Sequence, residues 1–220
     1  MKHAGTTIAL ATSGLAFIAY PALRPWGEET GAAGAATFDS TAWPIAHTLG
    51  MVGFVALAFA LRSAAADLPW QWSGQPVRRA ESRMWVAVAL LLPYYGAEAY
   101  GLHAVGGYAV QQGDPGVIDV ADSFRFAPLP MTVFALGLLT LVLVGGRLAH
   151  GMWRTGTLGR TGGLLTGLGL ATYLPQFFLG AELRIMHGVV LGVGLLIIAT
   201  RTAVHPVTTH QQARTSHALA

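Results

Sequence analysis

The sequence predicts an all-α, polytopic transmembrane bundle of about six helices, and three observations lead there. Apolar residues make up 53% of the chain and charged residues only 10%, against roughly 25% charged in a soluble domain. Uncharged runs cover Ala4–Leu23, Ala42–Leu61, Ala127–Gly146 and Thr161–Ala181, each near the ~20 residues a helix needs to cross the hydrocarbon core. The charges also partition by side. With the N-terminus placed in the cytoplasm, ten of the thirteen basic residues fall inside: Lys2, Arg62, Arg78, Arg79, Arg83, Arg147, Arg154, Arg160, Arg201 and Arg214. Only Arg24, Arg125 and Arg184 fall outside. The positive-inside rule selects this orientation, with both termini cytoplasmic. Eight of the ten acidic residues lie outside or in the outer half. A membrane β-barrel would instead show ~10-residue alternating segments.

The elements follow in order. The first helix is expected over 5–23. Lys2 ahead of an apolar stretch is also how a signal peptide begins, but this run is long and reads as a retained helix. An outer loop, Pro25–Ser40, carries Trp26, Glu28 and Glu29. The second helix, 42–61, contains Trp43 and His47. An inner loop, Ser63–Ser82, holds two arginines, Arg78 and Arg79, with Trp70 and Trp72. The third helix, 84–103, is interrupted by Pro93 and Glu98. A Gly- and Asp-rich outer loop, Gly106–Phe126, leads to the fourth helix, 127–149. A short inner turn, Gly151–Gly159, leads to the fifth, 161–179. The link near Gly180 is short, which predicts a tight hairpin into the sixth helix, 182–204. Residues 1–204 form one domain, and the polar tail 205–220 is expected to be disordered.

Small residues set the packing expectations. Gly163 and Gly167 share a face of the fifth helix, and Gly188 and Gly192 share a face of the sixth. Such pairs let helix backbones approach closely in lipid. Pro93 and Pro175 each remove a backbone donor and should kink their helices. Cysteine is absent, which excludes disulfides, thiolate catalysis and cysteine-ligated metal. The sequence pI near 9.6 comes from cytoplasmic arginines. It points to anionic membrane lipid rather than nucleic acid.

The polar residues within the apolar spans carry the functional reading. A carboxylate in hydrocarbon is expensive, so Glu98 should face the bundle interior or a wet cavity. Arg184 and His187 lie three apart and share a face of the sixth helix. Arg184 is expected to pair with Glu98 or Glu182. Glu182 is equally suited to the helix start, where the dipole favours negative charge. His47 is either a helix–helix hydrogen bonder or a functional base. These residues, with Tyr94, Tyr95, Tyr173, Gln176 and Phe177, map to the outer third of the bundle on four helices. Trp26 and Trp43 can sit above them, although tryptophan there also fits the ordinary aromatic belt. A pocket open to the outer leaflet, with an acid, a base and aromatic walls, is the economical expectation.

Such a pocket suits proton-initiated isomerisation or cyclisation of a polyprenyl chain. A buried neutral carboxyl held by Arg or Tyr would donate the proton. Aromatic faces would stabilise the carbocation by ~0.5–2 kcal/mol each. The architecture and the segments Tyr94-Tyr-Gly-Ala-Glu98 and Glu182-Leu-Arg184-Ile-Met-His187 resemble the bacterial membrane terpene cyclases of drimentine-type indole meroterpenoid pathways. The resemblance implies an integral protein of the bacterial plasma membrane. It would cyclise a farnesyl chain on a lipophilic acceptor, without metal or other cofactor. In that reading Glu98 donates the proton, and Arg184 and His187 polarise it or take the final proton. Glu182 and His47 complete the set of candidate catalytic groups. Tyr94, Tyr95, Tyr173, Phe177 and Trp43 line the cation path. The alternatives are an accessory membrane protein, a small transporter, or a haem protein with His47 and His187 as axial ligands.

Overall fold

The computed structural model describes residues 4–67 and 75–204. Trp70, Trp72 and the tail 205–220 lie outside the described residues. Within them the chain is helical, and four helices are long and apolar enough to cross a membrane. We number the α-helices α1 (Ala4–Leu23), α2 (Gly31–Asp39), α3 (Ala42–Asp67), α4 (Gln75–Gly96), α5 (Leu102–Gln112), α6 (Val120–Arg125), α7 (Pro128–Met152), α8 (Gly156–Ala171) and α9 (Ala181–Val204). The four apolar ones are α1, α3, α7 and α9.

The long helices close a ring in which α1 packs on α3, α3 on α4, α4 on α7, α7 on α8, α8 on α9, and α9 back on α1. Inside it, Phe17, Phe54, Leu57, Leu91, Leu141 and Leu195 form part of one continuous apolar core. Outward, every ring helix exposes a large apolar side chain: Ile8, Phe59, Val86, Leu139, Leu168 and Val193. An apolar belt on all sides is what lipid contact requires and what water does not tolerate.

Glycines set the closest approaches, as their spacing predicts. A Cβ on Gly192 would lie 2.5 Å from the Gly14 carbonyl oxygen of α1, and one on Gly188 2.6 Å from that of Phe17. On α8, a Cβ on Gly167 would lie 2.9 Å from the Gly145 carbonyl of α7. Since the obstruction is backbone, rotamer changes cannot relieve it. Gly192→Ala should therefore push α1 from α9 and cost about 1–3 kcal/mol. Thermal unfolding of the purified protein in detergent checks this as a lowered midpoint.

Three expectations are corrected. Both outer loops are largely helical. α4 continues through a π-helical turn, Ala97–Gly101, into α5, so one rod runs from residue 75 to residue 112. At 1.5 Å per residue it is roughly 57 Å long, far more than the ~30 Å hydrocarbon core. α2 packs against its distal part, burying Phe38, Leu102 and Ala109 with Trp43, Ile118 and Ala121. These pieces form a helical cap over the end of the ring at which α1 ends and α3 begins. Second, Pro175 ends α8 instead of kinking it. Its missing N–H cannot serve the last turn, and the chain passes into a 3-10 turn, Pro175–Phe178. Third, the connection to α9 therefore runs from Thr172 to Gly180 and is no tight hairpin. Pro93 does remain inside a helix.

Candidate functional site

The capped ends of the ring helices enclose a cavity of about 380 Å³, within the range of small-molecule sites. One end is polar and takes Arg24, Glu29, Glu98, Arg125 and Arg184. The other is apolar, walled by Tyr94, Phe134, Leu138, Leu174 and Phe177. Phe126 and Phe178, which are 65% and 84% exposed, stand at the mouth.

Glu98 is only 7% exposed. It sits in the π-helical turn, where the wider helical repeat leaves local backbone groups without their usual partners. Such turns recur at functional sites. Trp43 Nε1–H donates to the Glu98 carbonyl oxygen at 2.6 Å, which braces the turn from α3. The Glu98 carboxylate accepts from Arg125 Nε at 2.9 Å. Arg125 Nη2 also donates to Glu29 Oε2 at 2.7 Å, and Glu29 is bridged in turn to Arg24. The polar end is thus an alternating chain: Arg24, Glu29, Arg125, Glu98. It ties the α1–α2 link and α6 to the π turn.

Outside the spans, burial pushes the Glu29 carboxyl up, but Arg24 and Arg125 outweigh it and hold it below the usual carboxylate range. Burial also works against the Arg125 charge, and Glu98 and Glu29 reverse that, so its proton is held more tightly than usual. The depressed Glu29 contributes stability that is complete above its unfolded value of 4.5 and is lost as pH falls through its lower folded value. Glu29→Gln should therefore melt below wild type at pH 7. The gap should narrow as pH is lowered through that window. Melting curves across pH check it.

The structure sorts the sequence-derived candidates. Tyr94, Tyr95, Phe177, His47, Glu98 and Arg184 line the cavity. Tyr94 stacks on Phe134 at 4.2 Å between centroids, and its hydroxyl donates to the Arg125 carbonyl at 3.3 Å. Tyr95 is hydrogen-bonded to Tyr173 at 3.2 Å. Tyr173 itself lies behind the wall, in the core. His47 is 3% exposed. Its Nδ1–H donates to the Trp43 carbonyl at 2.8 Å, which leaves Nε2 as the acceptor.

Other expectations change. Arg184 does not pair with Glu98 or Glu182. Its Nε donates to Gln176 Oε1 at 3.2 Å, and its guanidinium lies over Phe177 at 5.0 Å and Trp26 at 4.8 Å. Arg125 holds Glu98 instead. His187 does not reach Glu98: its Nε2–H donates to the Gly169 carbonyl at 2.8 Å, clamping α9 to α8. Glu182 is exposed in the first turn of α9 and Trp43 is fully buried; neither lines the cavity. Gln176 is buried behind it. Trp26 donates from Nε1 to the Pro21 carbonyl at 2.9 Å and presents its ring to Arg24 at 4.4 Å.

For the haem alternative, the two histidines are joined by a run of ring contacts. It passes from His47 to Tyr20 at 5.4 Å, to Tyr95 at 5.9 Å, through the Tyr95–Tyr173 hydrogen bond, and on to His187 at 5.4 Å. Packed tyrosines occupy the place a macrocycle would need.

Arg24, Glu29 and Arg125 were not among the expected site residues, although the charge partition marks them. The three basic residues on the outer side of the predicted topology are the three that line this cavity. Comparison with known proteins adds no relative: no family model, curated protein or solved structure matches the chain.

Proposed function

We propose that the chain spans the bacterial plasma membrane six times with both termini cytoplasmic, and that its outer cavity is the active site of a terpene cyclase. The arginine partition supports the orientation, and the lipid-facing belt on all six ring helices supports the span count. One observation carries the functional reading: a carboxyl group, Glu98, lines the same cavity as the aromatic and aliphatic side chains of Tyr94, Phe134, Leu138, Leu174 and Phe177.

In the proposed reaction the Glu98 carboxylate takes up a solvent proton as substrate binds, and the protonated carboxyl transfers it to a terminal alkene of the prenyl chain. The π electrons form the new C–H bond, and the adjacent carbon becomes a cation. The next alkene attacks that cation, forming a ring bond and passing the charge along. Arg125 compensates the carboxylate left behind. The charge moves along Tyr94 and Phe134, and their aromatic faces stabilise it. Loss of a proton from a carbon beside the last cation restores an alkene. His47 Nε2, the one ring nitrogen not committed to Trp43, is suited to accept it. Product and substrate are isomers, and no redox partner or metal enters the balance.

The substrate in this reading is a farnesyl chain on a lipophilic acceptor, which enters laterally between Phe126 and Phe178. Membranes containing the protein, incubated with farnesylated indole substrates, should yield a chromatographically distinct product of unchanged mass. No isomer with any prenylated acceptor would favour the accessory-protein reading.

A further inference from the structure

The cavity carries one more positive charge than it compensates. Three guanidiniums, Arg24, Arg125 and Arg184, face two carboxylates, Glu29 and Glu98. Both carboxylates are taken up by Arg24 and Arg125. Arg184 has no carboxylate within ion-pair distance among the described residues, and its recorded acceptor is a neutral amide. Arg184 is half-buried, and a guanidinium drawn partly out of water without a counter-charge is costly. The second observation is independent. Arg24 is 7% exposed, and its Nε–H is buried without an acceptor, a rare condition in a native protein. Both guanidiniums line the one cavity and lie against the ring of Trp26, at 4.4 and 4.8 Å.

We propose that Arg24 and Arg184 form an oxyanion subsite, and that the natural ligand is an amphiphile with a phosphate head group here and its hydrocarbon chain along the Phe134–Phe177 wall. Arginine suits this task because its planar fork donates paired hydrogen bonds to phosphate oxygens. The inference rests on the cavity being a prenyl-chain site and revises the acceptor at its other end from a neutral lipophilic group to an anionic one. If the cyclase reading is right, the head group is retained through the reaction.

Binding without turnover tests it, so a failure of the cyclase reading leaves the result interpretable. Farnesyl phosphate, farnesol and inorganic phosphate are titrated into the full-length protein in a neutral detergent and followed by tryptophan fluorescence. Farnesyl phosphate should bind at least about tenfold tighter than farnesol, the margin a charge-assisted hydrogen bond provides. Inorganic phosphate, lacking the chain, should not compete at equal concentration. In Arg184→Gln the ratio of the two affinities should collapse toward one. Equal affinity of wild type for farnesyl phosphate and farnesol would overturn the proposal, whether or not the variant folds. Equal displacement by phosphatidylglycerol would assign the subsite to a bilayer lipid and overturn the substrate version. Turnover of a neutral prenyl substrate without head-group preference would retain the cyclase and remove the anion subsite.

Discussion

Glu98→Gln is expected to fold, to keep its place in the cavity and to lose turnover by about 10²–10⁴-fold, the range a general acid contributes. The amide oxygen can still accept from Arg125 Nε, so the 2.9 Å contact has a substitute acceptor. The Trp43 brace is on the Glu98 backbone and is untouched. What is lost is a proton that can be given to carbon. The two properties separate in experiment: an unchanged elution profile and a modest shift in melting temperature, alongside absent product. A variant that turns over at the wild-type rate removes Glu98 from the acid role.

The largest stability effect is expected at Arg125. Its side chain is 16% exposed and serves two carboxylates. Arg125→Met leaves Glu29 with Arg24 but leaves the buried Glu98 without its ion-pair partner. Breaking a buried pair by removing one partner costs about 3–5 kcal/mol, because the other charge stays buried and uncompensated. The same argument predicts recovery. Adding Glu98→Gln to Arg125→Met removes the stranded charge, so the double variant should be more stable than Arg125→Met alone. A double variant no better than the single one would show that the pair is not electrostatically coupled. Melting in detergent for all four combinations gives the coupling directly.

The fold was legible where hydrophobicity alone decides it. Uncharged runs of ~20 residues announce α1, α3 and α7; the fourth such run, Thr161–Ala181, is instead broken before Pro175, while α9 is long and apolar despite Arg184 and His187. The glycine pairs on α8 and α9 correctly mark close crossings. The cap was not legible, because its helices are short. α2 has nine residues and α6 has six. Each is held by packing on α5 rather than by its own propensity, and isolated helices of that length are marginal. Gly- and Asp-rich composition there reads as loop until Phe38 and Ile118 find their partner surface.

The site was half legible. Glu98 stands out because a charge in an apolar span needs a reason. Its true partner was hidden by sequence distance, since Arg125 is 27 residues away and comes from the cap. Arg184, nearer in expectation, lies over Trp26 and Phe177 instead. The exceptions to the positive-inside pattern, Arg24, Arg125 and Arg184, were the better guide. A basic residue placed against the topological rule is held there by something specific, here two carboxylates and the ring of Trp26.

The most direct test of the central claim is to run the isomer assay in deuterated water. The Glu98 carboxyl proton exchanges with solvent. A chain whose cyclisation starts by proton transfer should therefore yield a product carrying one solvent deuterium on the former alkene carbon, and Glu98→Gln should yield none. An isomer formed without deuterium would mean that ring closure begins some other way, and the acid assignment of the cavity would fall.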